Sequence, residues 1–164
     1  MMTKTVLIPT DFSVRSLNLA IEALNKNQNE HLKIILLHGL SRSISISELL
    51  FDHPTKRLTA MTTRDFKNAR KFIENTYSTQ LVNMTVDSFS GVNQRAFNNY
   101  LEGNAIDEIY AQESVTFHPY HKDSFDLYPF IKRSKVTTTW VPPGEMTFGK
   151  ASHNHQLSAV FFSK

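Results

Sequence analysis

Cysteine is absent from the 164-residue chain. That removes disulfides, thiolate catalysis, zinc–thiolate sites and iron–sulfur clusters together. Glycine is scarce, with only 5 residues, which excludes most glycine-rich phosphate loops, because those need bare backbone close to the phosphates. No uninterrupted apolar run approaches the roughly 20 residues that span a bilayer, so no membrane partner is expected. Met1-Met2-Thr3-Lys4 leads straight into a strand-like run, which leaves no room for a secretory leader and points to a cytoplasmic protein. A large charge of one sign is also missing: 18 Lys and Arg stand against 15 Asp and Glu, a net +3. An excess that small and that spread out gives no electrostatic footprint for nucleic acid, and none is expected as a partner.

What is present suits one folded domain. Hydrophobic residues make up 40% and charged residues 20%, a balance that neither a disordered tail nor a membrane bundle shows. The length is enough to bury a core without staples. Short apolar runs alternate with amphipathic stretches. Val6-Leu7-Ile8, ended by Pro9, and Ile34-Ile35-Leu36-Leu37, closed by His38-Gly39, read as strands buried on both faces. Met84 to Phe89 alternates as a strand, and Ile106–Ala111 and Val136–Val141 complete five.

Between the strands lie helical spacings. Leu17, Ala20, Ile21 and Leu24 form one stripe over 13–25, with Ser13 as N-cap. Phe66, Ala69, Phe72, Ile73 and Tyr77 predict one helix over 59–78. Val92, Ala96, Phe97, Tyr100 and Leu101 predict another, stopped by Gly103. Pro129 is tolerated only in a first turn, so a further helix starts near Tyr128. The Ser-rich stretch 41–57 reads as an irregular or partly helical connection.

Strand–helix alternation of this kind predicts a doubly wound parallel sheet with helices on both faces. Ligands in such sheets sit beyond the carboxyl ends of the strands, where the strand order reverses. That places the candidate crevice residues at Pro9, Thr10, Asp11, Phe12 and Ser13, at His38, and at Gln112 and Glu113. A strand-to-helix turn with side-chain caps is the stronger reading of Asp11 and Ser13, since such turns are common.

The opening Val6-Leu7-Ile8-Pro9-Thr10-Asp11-Phe12-Ser13, followed by Ser16-Leu17 and the Ala20/Ala23 helix, resembles the universal stress protein family. Ile35-Leu36-Leu37-His38 looks like its second strand. Asn98 to Ile109, and Ile131 to Pro142, are similar to its third helix and fourth strand and its last helix and fifth strand. The resemblance covers about residues 4–142 and implies a five-stranded sheet in order 3-2-1-4-5, of the adenine-nucleotide alpha-hydrolase-like class. It also implies a homodimer, often paired through the fifth strand. Val136, Thr138 and Trp140 are then candidate interface residues. Members that bind ATP carry a glycine motif after the fourth strand. Here no glycine lies between Gly103 and Gly144, and the equivalent stretch is Gln112 to His121. Side chains block close approach of phosphates, Glu113 repels them, and Phe117 and Tyr120 are expected to occupy the volume. No cofactor is expected, ATP included.

Other motifs carry less. Gly144 to Ala151 matches seven positions of a phosphate-binding P-loop, but Ala151 stands where a magnesium-holding hydroxyl belongs. His118, His121, His153 and His155 invite a metal reading, yet Pro119 breaks helical spacing and no metal is expected. Ser13, Asp11 and His38 lack a nucleophile elbow, so no catalytic residue is assigned. Lys56, Arg57, Arg64, Lys67, Arg70 and Lys71 form a basic face that reads as a solvated helix surface.

The domain is read as 1–143, with 144–164 as a tail. That tail ends in Val160, Phe161 and Phe162, apolar residues expected to add a strand or to clasp a dimer partner. The resulting expectation is a non-catalytic stress-response or regulatory module acting through protein contacts. A small-molecule or nucleotide binder using the Thr10–Asp11 crevice in another mode stands beside it.

Overall fold

The computed structural model describes residues 2–42, 50 and 54–143. The tail with Val160, Phe161 and Phe162, the P-loop-like Gly144–Ala151, His153 and His155, and most of the Ser-rich connection lie outside the described residues.

Five strands form one parallel sheet: β1 (Thr3–Pro9), β2 (His31–Gly39), β3 (Leu81–Phe89), β4 (Glu108–Gln112) and β5 (Thr137–Val141). Their order is β3-β2-β1-β4-β5. β1 pairs with β2 on one side and β4 on the other, so the order reverses beside β1. The fold class read from the sequence is the one observed.

Alternation along β1 divides the core in two. Val6 and Ile8 face one layer, where Leu17, Ala20 and Leu24 meet Phe66, Ala69 and Ile73. Leu7 faces the other, with Leu37, Ile109, Phe97, Leu101 and Ile131. Helices α1 (Asn18–Lys26) and α3 (Arg64–Thr76) therefore cover one face. Helices α4 (Gln94–Gly103) and α5 (Tyr128–Lys132) cover the opposite one. Between β2 and α3 stands α2 (Pro54–Met61).

Several boundaries differ from the sequence reading, each for a local reason. The helix expected over 59–78 is two helices. Thr63 has an extended backbone, and its hydroxyl accepts from the Phe66 amide at 3.1 Å, so it caps α3 instead of continuing α2. The helix expected from residue 13 opens as a 3-10 turn, Val14–Leu17. Ser13 caps it as expected, accepting from the Ser16 amide at 3.2 Å. Gly103 does end α4, with Asn104 following it and Ala105 taking the left-handed φ of 51°. α5 begins at Tyr128 with Pro129 in its first turn, where its missing N–H costs nothing.

At the amino ends of the strands a charged group is buried. Glu108 is 8% exposed. Its carboxylate lies 2.8 Å from Lys4 Nζ and accepts from the Thr139 hydroxyl at 2.5 Å. One side chain thus ties β1, β4 and β5 together.

Candidate functional site

The carboxyl ends of β1, β2 and β4 open into a cleft of about 430 Å³. Six of the eight crevice candidates line it: Pro9, Thr10, Asp11, Ser13, His38 and Gln112. Phe12 and Glu113 do not.

Phe12 lies beneath the cleft instead. Its backbone φ is 63° and its side chain is buried. A left-handed phenylalanine costs about 1–2 kcal/mol, and here the surrounding contacts hold it. Its amide donates to the Thr10 hydroxyl at 3.1 Å. Its ring packs on His38 at 4.8 Å, Phe66 at 5.8 Å and Tyr120 at 5.6 Å between centroids.

Asp11 and Ser13 form the turn itself. Asp11 Oδ1 accepts from the Ser13 amide at 2.9 Å and from its hydroxyl at 2.5 Å. His38 is engaged elsewhere. Its Nδ1 lies 2.8 Å from the Thr10 carbonyl oxygen, which can only accept, so Nδ1 carries the proton. Nε2 then accepts from the Ser124 hydroxyl at 2.7 Å. Burial lowers the His38 pKa, against the opposing hydrogen bond to Thr10 and the Asp11 carboxylate. Asp11, Ser13 and His38 therefore do not assemble into a nucleophilic relay.

The second wall comes from the connection between β4 and α5. Both its ends are anchored. At one, the Glu113 amide donates to the Val141 carbonyl at 2.8 Å. At the other, Arg57 reaches Asp123 at 2.8 Å, and the Phe125 amide donates to the Gly39 carbonyl at 3.0 Å. A Cβ on Gly39 would collide with the Phe125 carbonyl oxygen, so this close approach requires glycine. Between the anchors, Ser114 adopts a left-handed φ of 55°.

Phe117 and Tyr120 do not fill the crevice as the sequence suggested. Phe117 is part of the wall, and Tyr120 stacks outside it on Phe12, 44% exposed. Tyr128 was missed by sequence reasoning, which gave it a role in helix geometry alone. It stands in the wall with its hydroxyl accepting from the Gln112 amide at 3.3 Å. Burial, with Asp126 and Asp11 adding, pushes its pKa up to about 12. It is a neutral phenol whose proton has no acceptor among the described residues. Asp126, which accepts from the Tyr128 amide at 3.0 Å, completes the polar lining.

No group of metal-ligating side chains is found among the described residues, and no helix among them is long and apolar enough to cross a membrane. Trp140 and Val136, two of the interface candidates, are half-buried against the layer beneath α5, and Thr138 is half-buried on β5.

No protein-family model and no curated protein matches the chain. Solved structures do match in shape. The hypothetical protein MJ0577, subject of a structure-based assignment of biochemical function, superposes with a TM-score of 0.54 at 20% identity, covering 87% of this chain and 97% of that one. The universal stress protein UspA from Lactobacillus plantarum gives 0.51 at 18% identity, covering 84% and 97%. The chain shares the universal stress protein fold.

Proposed function

We propose that this chain is a non-catalytic module of the universal stress protein type whose crevice holds a small organic ligand other than a nucleoside triphosphate. The observation that carries the reading is the open cleft with unspent hydrogen-bonding groups. The neutral Tyr128 hydroxyl keeps a proton to donate, and the Gln112 side-chain amide lines the same wall. A few convergent polar groups in a largely apolar concavity are what fix a small ligand's orientation.

Three features weigh against a triphosphate. The chain has no glycine from Asn104 to Pro143. Val115 and Phe117 present side chains in the wall where phosphates would need bare amides. Asp11 and Asp126 put two carboxylates in the lining against one guanidinium, Arg15. A non-catalytic role is supported by the imidazole of His38, whose two nitrogens are both taken up by the fold.

The same reading has the module act in the cytoplasm, in stress response or regulation, as a homodimer with a protein partner. β5 supports the dimer, since among the described residues it is an edge strand paired with β4 alone. A thermal-shift screen of metabolite-sized compounds against the wild type, Tyr128→Phe and Asp11→Asn tests the cleft. Hits that stabilise the wild type and lose their effect in the variants are expected. Hits indifferent to both substitutions would place binding elsewhere and overturn the reading.

A further inference from the structure

The cleft does not end at Tyr128. A second groove of about 660 Å³ continues from it toward β5. The two share Gln112, Ser114, Val115, Asp126 and Tyr128 in their walls, so they form one trough with Tyr128 at the junction. Charge changes along it. The cleft wall sets Asp11 and Asp126 against Arg15, and the groove wall sets Lys132 and Arg133 against Glu113 and the shared Asp126.

Lys132 and Arg133 are exposed and make no ion pair among the described residues. They close α5, a helix of 5 residues whose dipole is too short to account for two cations. Across the groove stands Trp140, its ring 6.3 Å from that of Tyr128. Two unpaired cations next to an aromatic surface suit a ligand end that is anionic, since a guanidinium grips carboxylate or phosphate oxygens in pairs.

We propose that the groove between α5 and β5 is an anion subsite, and that the ligand is an elongated organic molecule with one anionic end group. Its apolar body lies in the cleft past Tyr128, and its terminal carboxylate or phosphate monoester sits on Lys132 and Arg133. This rests on the reading of the cleft as a ligand site.

Trp140, the single tryptophan of the chain, lines this groove, so its fluorescence responds to a ligand bound there. The full-length protein is titrated with phenylbutyrate, phenylbutyl phosphate, phenylbutanamide and phenylbutylamine, which share one body and differ at the end group. Saturable change with an anion, about tenfold tighter than with the amide, is expected. It should weaken with salt and in Lys132→Ala/Arg133→Ala, and Arg133→Lys should restore part of it. Which anion binds tighter separates a carboxylate from a phosphate ligand. Both positions are exposed, and an unchanged melting curve confirms that the variant folds. Amide or amine binding as tightly as the anions, or the same affinity in the double variant, overturns the subsite. If none of the four perturbs Trp140 while thermal-shift hits still depend on Tyr128, the subsite fails and the cleft reading stands. If neither response is seen, both fail.

Discussion

Nε2 of His38 stands 2.7 Å from the hydroxyl of Ser124, although the two residues are 86 apart in the chain. The Ser124 hydroxyl also accepts from the His121 amide at 3.1 Å. His38 at the end of β2 thereby fastens the far wall of the cleft to the sheet. Its other nitrogen holds the Thr10 carbonyl at the end of β1. One neutral imidazole sets the distance between the two sides of the site.

That role gives a pH dependence with a defined sign. The folded-state pKa lies below the ordinary 6.5, so the folded protein binds this proton less well than the unfolded chain. The stabilisation is fully present above about pH 6.5 and is lost as pH falls through the lowered value. Melting temperature should fall with acid across that window, and the slope should flatten in His38→Gln. The substitution itself should cost about 1–3 kcal/mol at neutral pH. A slope unchanged in the variant would assign the acid sensitivity to other groups.

Glu108 makes a second test at the opposite end of the sheet. Removing its carboxylate leaves Lys4 Nζ and the Thr139 hydroxyl without their partner. Lys4 is a quarter exposed, so Glu108→Ala should destabilise by about 1–3 kcal/mol in denaturant melts, below the cost of breaking a fully buried pair. The hydrogen bond to Glu108 raises the Lys4 pKa above the ordinary 10.5, against the effect of burial. This contribution is therefore complete below that pH and lost above it. Equal stability of variant and wild type at neutral pH would remove the network from the account.

Much of this was legible in the sequence, and the limits have physical causes. Val6-Leu7-Ile8 and Ile34 to Leu37 are apolar on both faces, which only a covered parallel sheet requires. The strand order followed from the resemblance that Pro9 to Ser13 anchors. The Asp11–Ser13 turn and the Pro129 helix start followed from cap chemistry. Thr63 was hidden because an apolar stripe ran on both sides of it. Tyr128 and Asp126 were missed as site residues because only the fold brings the β4–α5 connection over β1. Phe117 and Tyr120 looked like a plug because size can be read from sequence and direction cannot. Once Tyr120 finds the ring of Phe12, it is held away from the cleft.

Ser114 offers a stabilising change. Its φ of 55° suits glycine, and Ser114→Gly should raise stability by up to about 1 kcal/mol. Calorimetric titration of this variant with Mg-ATP should still show no micromolar binding, because Val115, Phe117, Asp11 and Asp126 remain. Gain of ATP affinity would trace its expected absence to that one side chain.

Among the described residues β5 has one neighbour, and the sequence beyond it ends in Val160, Phe161 and Phe162. The full chain should sediment as a dimer, and deleting 145–164 should shift it toward monomer or lower its melting temperature. A monomeric full chain, or a deletion that changes neither quantity, would contradict the assembly.

Native mass spectrometry of the freshly purified full-length protein bears most directly on the cleft as a ligand site. A retained organic molecule, one per subunit, lighter than a nucleoside triphosphate and lost in Tyr128→Phe, is the expected spectrum. Retained ATP with its magnesium, or ligand occupancy that survives the Tyr128 substitution unchanged, would contradict it.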